Sequence, residues 1–171
     1  TILATPSGAR PAWLDEAYPE CRRVDSYGVR EHHGVRHNHC MSAPVYRKKV
    51  SVIVNKLVDE FGNHPGLLMW HISNEFGGEC HCPLCQAKFR EWLKEKYGTI
   101  ENLNKRWCTT FWSHIYNSFD QIESPSTKGE NELHALKLDW KRFVTDQTID
   151  FIKNEVDAIR EGGSELPVTA N

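Results

Sequence analysis

Apolar residues recur along the chain with two different spacings. Three short apolar runs, at residues 2–5, 67–73 and 166–170, predict β-strands, and the middle run shows no polar alternation over its first four residues. This pattern is typical of a parallel-sheet strand that is buried on both faces. From Val45 to Phe61 apolar residues recur at helical spacing, which predicts a helix with Ser42 as its N-cap. A helical crossover of this length predicts that the first two strands are parallel and connected in a right-handed sense.

The second half of the chain is mainly helical in pattern. It predicts a helix ending at Gly98, a shorter helix capped by Thr99, and a long helix from about residue 131 to residue 160. Residues 108–122 are aromatic but aperiodic, and they predict a packed loop. The order of strands and helices predicts an α/β protein with a parallel sheet, either doubly wound or a β/α barrel. In both architectures the functional side chains lie at the carboxyl ends of the strands.

Composition narrows the class of protein. The chain has 171 residues, 39% hydrophobic and 26% charged, which is typical of a globular protein with a hydrophobic core. A net charge of -2 gives no support to a nucleic-acid partner. The longest nearly uncharged apolar run is about eight residues, against roughly 20 for a membrane-spanning helix, so we expect no membrane partner. No charged and then apolar leader opens the chain, which favours a cytoplasmic location.

Three of the six cysteines form a Cys-x-Cys-x-x-Cys cluster. The cluster consists of Cys80, Cys82 and Cys85, and its spacing favours a metal site over reduced thiols or a redox disulfide. A closed tetrahedral site needs a fourth ligand, for which the sequence offers another cysteine or one of three histidines, His37, His39 and His81.

The middle apolar run ends in an amide and a carboxylate side by side. Asn74 and Glu75 would therefore lie at the carboxyl end of a strand. Glycoside hydrolysis needs a carboxyl group that stays protonated near neutral pH, and an apolar, semi-buried position raises the pKa of a Glu in that direction. The alternative is that the pair joins strand to helix with no chemical role.

Several motifs in order resemble glycoside hydrolase family 42 β-galactosidases. They include residues 4–13, 32–40, 67–85 and the closing Leu-Pro-Val-Thr-Ala-Asn, so the resemblance runs nearly end to end. It implies a retaining mechanism on terminal β-D-galactosides and a (β/α)8 TIM barrel, of which this chain is about strands 3 to 5. By the same match, Glu75 looks like the acid/base, and Arg36 and Asn74 look like substrate-binding residues.

The resemblance also implies a structural zinc site and an incomplete domain. Cys40 matches the family's fourth zinc ligand, completing the set with Cys80, Cys82 and Cys85, and about residues 76–130 form an insertion that carries this zinc knuckle. Residues 1–171 are then a segment of one catalytic barrel domain. No residue matches the family's nucleophile, so we expect the segment alone to be inactive.

The family further implies a homotrimer when full length and a cytoplasmic location. The sequence does not exclude a different glycoside, such as an α-L-arabinopyranoside, as the substrate. The alternative from another class is a non-catalytic zinc-knuckle module that binds a partner, with Asn74 and Glu75 incidental.

Overall fold

The computed structural model describes residues 1–171 and contains one three-stranded sheet and five helices. In chain order the elements are β1 (Ile2–Ala4), α1 (Ala12–Ala17), α2 (Pro44–Phe61), β2 (Met69–His71), α3 (Pro83–Tyr97), α4 (Ile100–Trp107), α5 (His134–Glu161) and β3 (Val168–Thr169). Single 3₁₀ turns occur at Pro19–Cys21 and Phe119–Gln121. The three predicted strands are confirmed, although each is shorter than its apolar run.

All strand pairs are parallel, as predicted, in the order β1–β2–β3. Trp70 in the middle strand lies opposite Leu3 and Val168. The expectation that this strand is buried on both faces is wrong for this chain: Trp70 is fully buried, whereas Met69 and His71 on the other face are partly buried. The reason is that Trp70 faces the hydrophobic core that it shares with the helices, whereas Met69 and His71 lie outside that core.

The two longest helices, α2 and α5, pack against each other behind the sheet. The prediction that Ser42 caps α2 is wrong, because the helix begins one position later, with Ala43 as N-cap and Pro44 as its first residue. Proline suits this position because the amide hydrogen it lacks would have no helical partner there. The Ser42 hydroxyl instead accepts a hydrogen bond of 2.7 Å from Nε2 of Gln147 on α5.

The other predicted helix ends are confirmed. Thr99 accepts a hydrogen bond of 3.2 Å from the backbone amide of Asn102, and Gly98 ends α3 with a φ of 73°. The long helix α5 covers almost all of the predicted range. The predicted packed loop is packed only in part, since Phe119 and Ile122 are buried but Trp112 is exposed.

One hydrophobic core joins the sheet to the helices. Its largest fully buried side chains are Trp70, Trp140, Phe89, Phe151, Ile72, Leu93 and Leu103. No helix here combines the length and the apolar character that crossing a bilayer requires.

Candidate functional site

The side chains singled out from the sequence meet at the carboxyl ends of the strands. Glu75 follows β2, and its Oε2 accepts a hydrogen bond of 2.6 Å from Nη2 of Arg36, in the loop between α1 and α2. The backbone amide of Glu75 donates to Oδ1 of Asn171, just after β3, at 3.0 Å. The structure therefore brings Arg36 and Glu75 together, 39 residues apart in sequence, and leaves Asn74 beside them on the same turn.

The expected apolar, semi-buried surroundings of Glu75 are absent. Its side chain is 56% exposed and its charged neighbour Arg36 is 59% exposed. A carboxylate at this edge of a barrel is enclosed by loops from several strands, and this chain supplies three. The environment of Glu75 here is a guanidinium group and solvent.

The turn that carries Glu75 has an unusual backbone. Ser73 and Glu75 have φ values of 49° and 47°, in the left-handed region that side chains other than glycine rarely adopt. Nδ1 of His71 lies 2.8 Å from the carbonyl oxygen of Ser73. A carbonyl oxygen only accepts, so Nδ1 carries the hydrogen. The strand end before Glu75 is thus restrained by a side chain of its own strand.

The loop that presents Arg36 is held by a buried ion pair that sequence reasoning missed. Nε of Arg10 donates to Oδ1 of Asp15 at 2.6 Å, and its Nη1 donates to the backbone and side-chain oxygens of Asn38. Burial would raise the pKa of Asp15, but the hydrogen bond from Arg10 and the charge of Arg22 outweigh it and lower that pKa. The only sign of this ion pair in the sequence was that Asp15 lies beside the apolar Leu14 in α1.

The four predicted cysteine ligands converge at one buried point. Every pair of their sulfur atoms lies within 4.8 Å, and the sulfur of Cys40 is 3.4 Å from that of Cys82 and 3.6 Å from that of Cys85. Zinc bonded tetrahedrally to sulfur at about 2.3 Å places the sulfurs about 3.8 Å apart. All four cysteines are free thiols, so the group fits a metal ion and could hold one.

Contacts around the cysteines resemble the outer shell of a metal–thiolate site. The backbone amide of Val24 donates to the sulfur of Cys80 at 3.5 Å, and Nε2 of Gln147 donates to that of Cys85 at 3.4 Å. Such donors stabilise thiolates. The crowded sulfurs shift one another: hydrogen bonding with Cys80 raises the pKa of Cys40, while hydrogen bonding with Cys40 lowers that of Cys82.

The histidines considered as alternative ligands are not in the cluster. His39 is fully buried and stacks on Tyr46, with ring centroids 4.3 Å apart, and burial holds its pKa well below the ordinary value. His81 stacks on Trp140 at 5.0 Å, and its Nδ1 is 2.7 Å from the hydroxyl of Ser124. Both rings therefore serve packing rather than ligation.

Arg23 holds the segment between the Glu75 turn and the cysteine cluster. Nη2 of Arg23 donates to the carbonyl oxygen of Gly77 at 2.8 Å, in the segment between Glu75 and Cys80. Gly78 has a φ of 79°, and a Cβ atom there would lie 1.9 Å from Nη1 of Arg23. Glycine suits this position because it takes the positive φ without strain and leaves room for the guanidinium group of Arg23.

Comparison with known proteins covers the whole chain. Residues 1–171 match the glycoside hydrolase family 42 model, described as β-galactosidase. The chain is 58% identical to β-galactosidase BglY of Alicyclobacillus acidocaldarius over 170 residues and 58% identical to β-galactosidase GanA of Bacillus subtilis over 171 residues. Each alignment covers 99% of this chain and 25% of the relative. The chain thus spans about a quarter of the length of these relatives.

Solved structures agree in fold. The family 42 β-galactosidase Gan42B from G. stearothermophilus superposes with a TM-score of 0.97 at 58% identity, over 99% of this chain and 25% of that one. The β-galactosidase from Rahnella sp. R3 has the same TM-score and coverage at 52% identity. The three parallel strands and their helices are part of a (β/α)8 barrel, and the chain belongs to glycoside hydrolase family 42, the β-galactosidases.

Proposed function

We propose that the protein to which this chain belongs is a retaining glycoside hydrolase that cleaves terminal β-D-galactosides, with Glu75 as its acid/base. The observation that carries the proposal is the contact between Glu75 and Arg36 at the carboxyl ends of the strands, in a chain that belongs to this family from end to end. The relatives BglY and GanA are named β-galactosidases.

In the first step Glu75 donates its proton to the glycosidic oxygen as the bond to the sugar breaks. A second carboxylate, about 5 to 5.5 Å from the first in retaining enzymes, attacks the sugar carbon. We assign that nucleophile to a part of the protein outside this chain, so the segment alone is inactive. In the second step Glu75 removes a proton from the water that releases the sugar.

Arg36 and Asn74 bind the substrate in this proposal. Arg36 uses Nη2 for Glu75, and its guanidinium group has further N–H donors. Since the side chain is 59% exposed, those donors can reach a sugar hydroxyl while the hydrogen bond from Nη2 orients the Glu75 carboxyl group. Asn74, next to the acid/base, can donate to or accept from a hydroxyl beside the reacting carbon.

The sharpest test uses Glu75→Gln in the full-length enzyme with aryl galactosides of graded leaving-group pKa. General acid help matters most for poor leaving groups, so we expect kcat/KM to fall on the order of a hundredfold or more for these and much less for activated ones. Glu123→Gln, the same charge change at an exposed site, serves as the control and should behave as wild type. Equal losses for all leaving groups would refute the acid role.

We also propose that Cys40, Cys80, Cys82 and Cys85 hold a structural zinc ion. Four thiolates complete a tetrahedral site and leave no open position for catalysis. The ion would tie the loop of Arg36 to the segment after Glu75. Residues 76–130 are then an insertion in a single barrel domain, and the four-cysteine site anchors its beginning.

Elemental analysis of protein purified without chelator tests the metal proposal. We expect about one zinc per chain in the wild type and a loss of zinc in Cys82→Ser. Cys108→Ser is the matched control, because Cys108 is exposed and lies outside the cluster. Wild-type protein free of zinc would overturn the assignment.

The resemblance further supports a cytoplasmic homotrimer for the full-length protein, which sedimentation analysis and cell fractionation test. We favour the enzyme over a non-catalytic zinc-knuckle module because the family match covers residues 1–171 and is not confined to the cysteines. Comparing kcat/KM for a β-D-galactoside with kcat/KM for an α-L-arabinopyranoside tests whether the second glycoside is the better substrate.

A further inference from the structure

A fully buried carboxyl group lies beneath the candidate active site. Glu155 on α5 is 0% exposed, and its polar partners are two hydroxyl groups from the segment after β1. Thr5 donates to Oε2 at 2.5 Å and Ser7 donates to Oε1 at 2.6 Å. Burial raises the pKa of Glu155, and these two hydrogen bonds oppose the rise. A buried carboxyl group without a cationic partner is unfavourable for folding, so its presence calls for another explanation.

The hydroxyl of Thr5 links Glu155 to the turn of Asn74 and Glu75. It accepts a hydrogen bond of 2.7 Å from the backbone amide of Ser73. A hydroxyl has one hydrogen and two lone pairs, so a Thr5 hydroxyl that gives its hydrogen to Glu155 keeps a lone pair for Ser73. The backbone amide of Thr5 also donates to the carbonyl oxygen of His71 at 2.9 Å, which fixes the position of Thr5 in the sheet.

Ser73, whose backbone amide Thr5 holds, has a strained backbone conformation. Ser73 has a φ of 49°, and Glu75, two residues later, has a φ of 47°. Such conformations persist only where the surroundings hold them. Both backbone polar groups of Ser73 have side-chain partners, since Thr5 accepts from its amide and His71 donates to its carbonyl oxygen. The direction in which Glu75 leaves the strand depends on these contacts.

We propose that Thr5, oriented by the buried carboxyl group of Glu155, is a positioning residue that fixes the backbone from which Asn74 and Glu75 reach the substrate. The inference rests on the proposed acid/base role of Glu75. Thr5 touches no reacting atom and acts through Ser73. Misplacing a reacting group by about 1 Å can lower the rate on the order of a hundredfold, so a loosened turn would weaken proton donation specifically.

Three variants of the full-length enzyme test this, assayed with the same graded aryl galactosides. Thr5→Val keeps the shape and removes the hydroxyl, whereas Thr5→Ser keeps the hydroxyl. Ser7→Ala is the matched control, because it also removes one hydroxyl from Glu155 but leaves the contact between Thr5 and Ser73 in place.

For Thr5→Val we expect kcat/KM to fall roughly tenfold to a hundredfold with poor leaving groups and clearly less with activated ones. Thr5→Ser and Ser7→Ala should keep the wild-type dependence on the leaving group. A role in stability alone would lower activity equally for all substrates, and that result, or the same selective loss in Ser7→Ala, would overturn the proposal.

Two further measurements keep the test decisive. If Thr5→Val does not fold, Glu155→Met replaces it, because Met is similar in volume to Glu but offers Thr5 no acceptor oxygen. Glu155→Met should lose kcat/KM mainly with poor leaving groups. An equal loss with all substrates would contradict the positioning role of Thr5. Glu75→Gln is assayed in parallel. If the loss of kcat/KM in Glu75→Gln does not depend on the leaving group, the proposed function fails. If the loss in Glu75→Gln depends on the leaving group and the loss in Thr5→Val does not, only the positioning role of Thr5 fails.

Discussion

The carboxyl group of Asp139 on α5 contacts helices α3 and α4, and its removal should loosen the packing of these three helices. The carboxyl group on α5 is 2% exposed and accepts from Lys96 at 2.5 Å and Tyr97 at 2.5 Å, both on α3. It also accepts from Trp107 on α4 at 3.1 Å and from Arg142 at 3.1 Å. Asp139→Asn replaces one of the two acceptor oxygens with a donor and removes the charge that the two cations face.

The expected cost follows from burial. Breaking a buried ion pair costs about 3 to 5 kcal/mol, and a buried donor left without a partner about 1 to 3 kcal/mol. Lys96 and Arg142 are 30% and 54% exposed, so water can rehydrate them, and Trp107 retains Tyr97 as a partner at 3.1 Å. We therefore expect Asp139→Asn to lower the local free energy of unfolding by about 2 to 4 kcal/mol.

Amide hydrogen exchange in the full-length protein measures this directly. Peptides from α3 and α4 should exchange roughly 30- to 700-fold faster in Asp139→Asn, since 1.4 kcal/mol is tenfold in an equilibrium constant. The matched control is Asp157→Asn on the same helix, where Lys153 forms an exposed pair at 2.8 Å. Exposed pairs add little stability, so the control should exchange as wild type. Equal, small effects in both variants would refute the reasoning.

The pH dependence provides a second check on Asp139. Burial alone would raise its pKa, but hydrogen bonds from Lys96 and Tyr97 outweigh burial and lower it. A lowered pKa means that the stabilisation is fully present above the unfolded pKa of about 3.9 and is lost as the pH falls through the folded value. The difference between wild type and Asp139→Asn should therefore shrink below about pH 4. A difference that stays constant would contradict the assigned cause.

Two other residues have predicted effects of their own. Gly78→Ala should destabilise the segment before Cys80, because a side chain is strained at a φ of 79° and its methyl group would displace the guanidinium group of Arg23. We expect faster amide exchange in that segment and weaker retention of the proposed zinc ion, and unchanged values of both would contradict this. Burial raises the pKa of Glu155 above its value in the unfolded chain. The contribution of Glu155 to the free energy of unfolding is therefore fully present below about pH 4.3 and is lost as the pH rises through the folded pKa. Glu155→Gln should therefore become less destabilising from pH 4 to pH 7, as thermal unfolding would reveal, and the opposite trend would disprove the sign.

The helices and strands were predictable because their signals are local. A helix buries one face, so apolar residues recur in its sequence about every 3.6 positions. Gly98 and Thr99 mark the end of α3 and the start of α4, because capping residues interact with backbone groups within one turn. The start of α2 was harder to predict: Ser42 resembled an N-cap, but Pro44 made the helix begin one residue later. Local rules compete at such positions, and here the preference of proline for the first helical position decided the outcome.

The candidate site was predictable only in part. The spacing of Cys80, Cys82 and Cys85 indicated a metal site, and the end of an apolar run indicated Glu75. Thr5 and Glu155, 150 residues apart, left no periodic signal, because each is one polar residue among ordinary neighbours.

By itself, the sequence determined the type and order of the elements, the parallel sheet and, through resemblance, the family. Those features follow from spacing along the chain, where each residue constrains its near neighbours. Resemblance indicated Cys40 as the fourth ligand, but only the tertiary structure decided that its sulfur meets the other three. Only the tertiary structure decided that Arg36 reaches Glu75 and that Glu75 lies in solvent beside a guanidinium group in this chain. These are contacts between distant segments, and their geometry depends on how helices pack on the sheet, which no local pattern records.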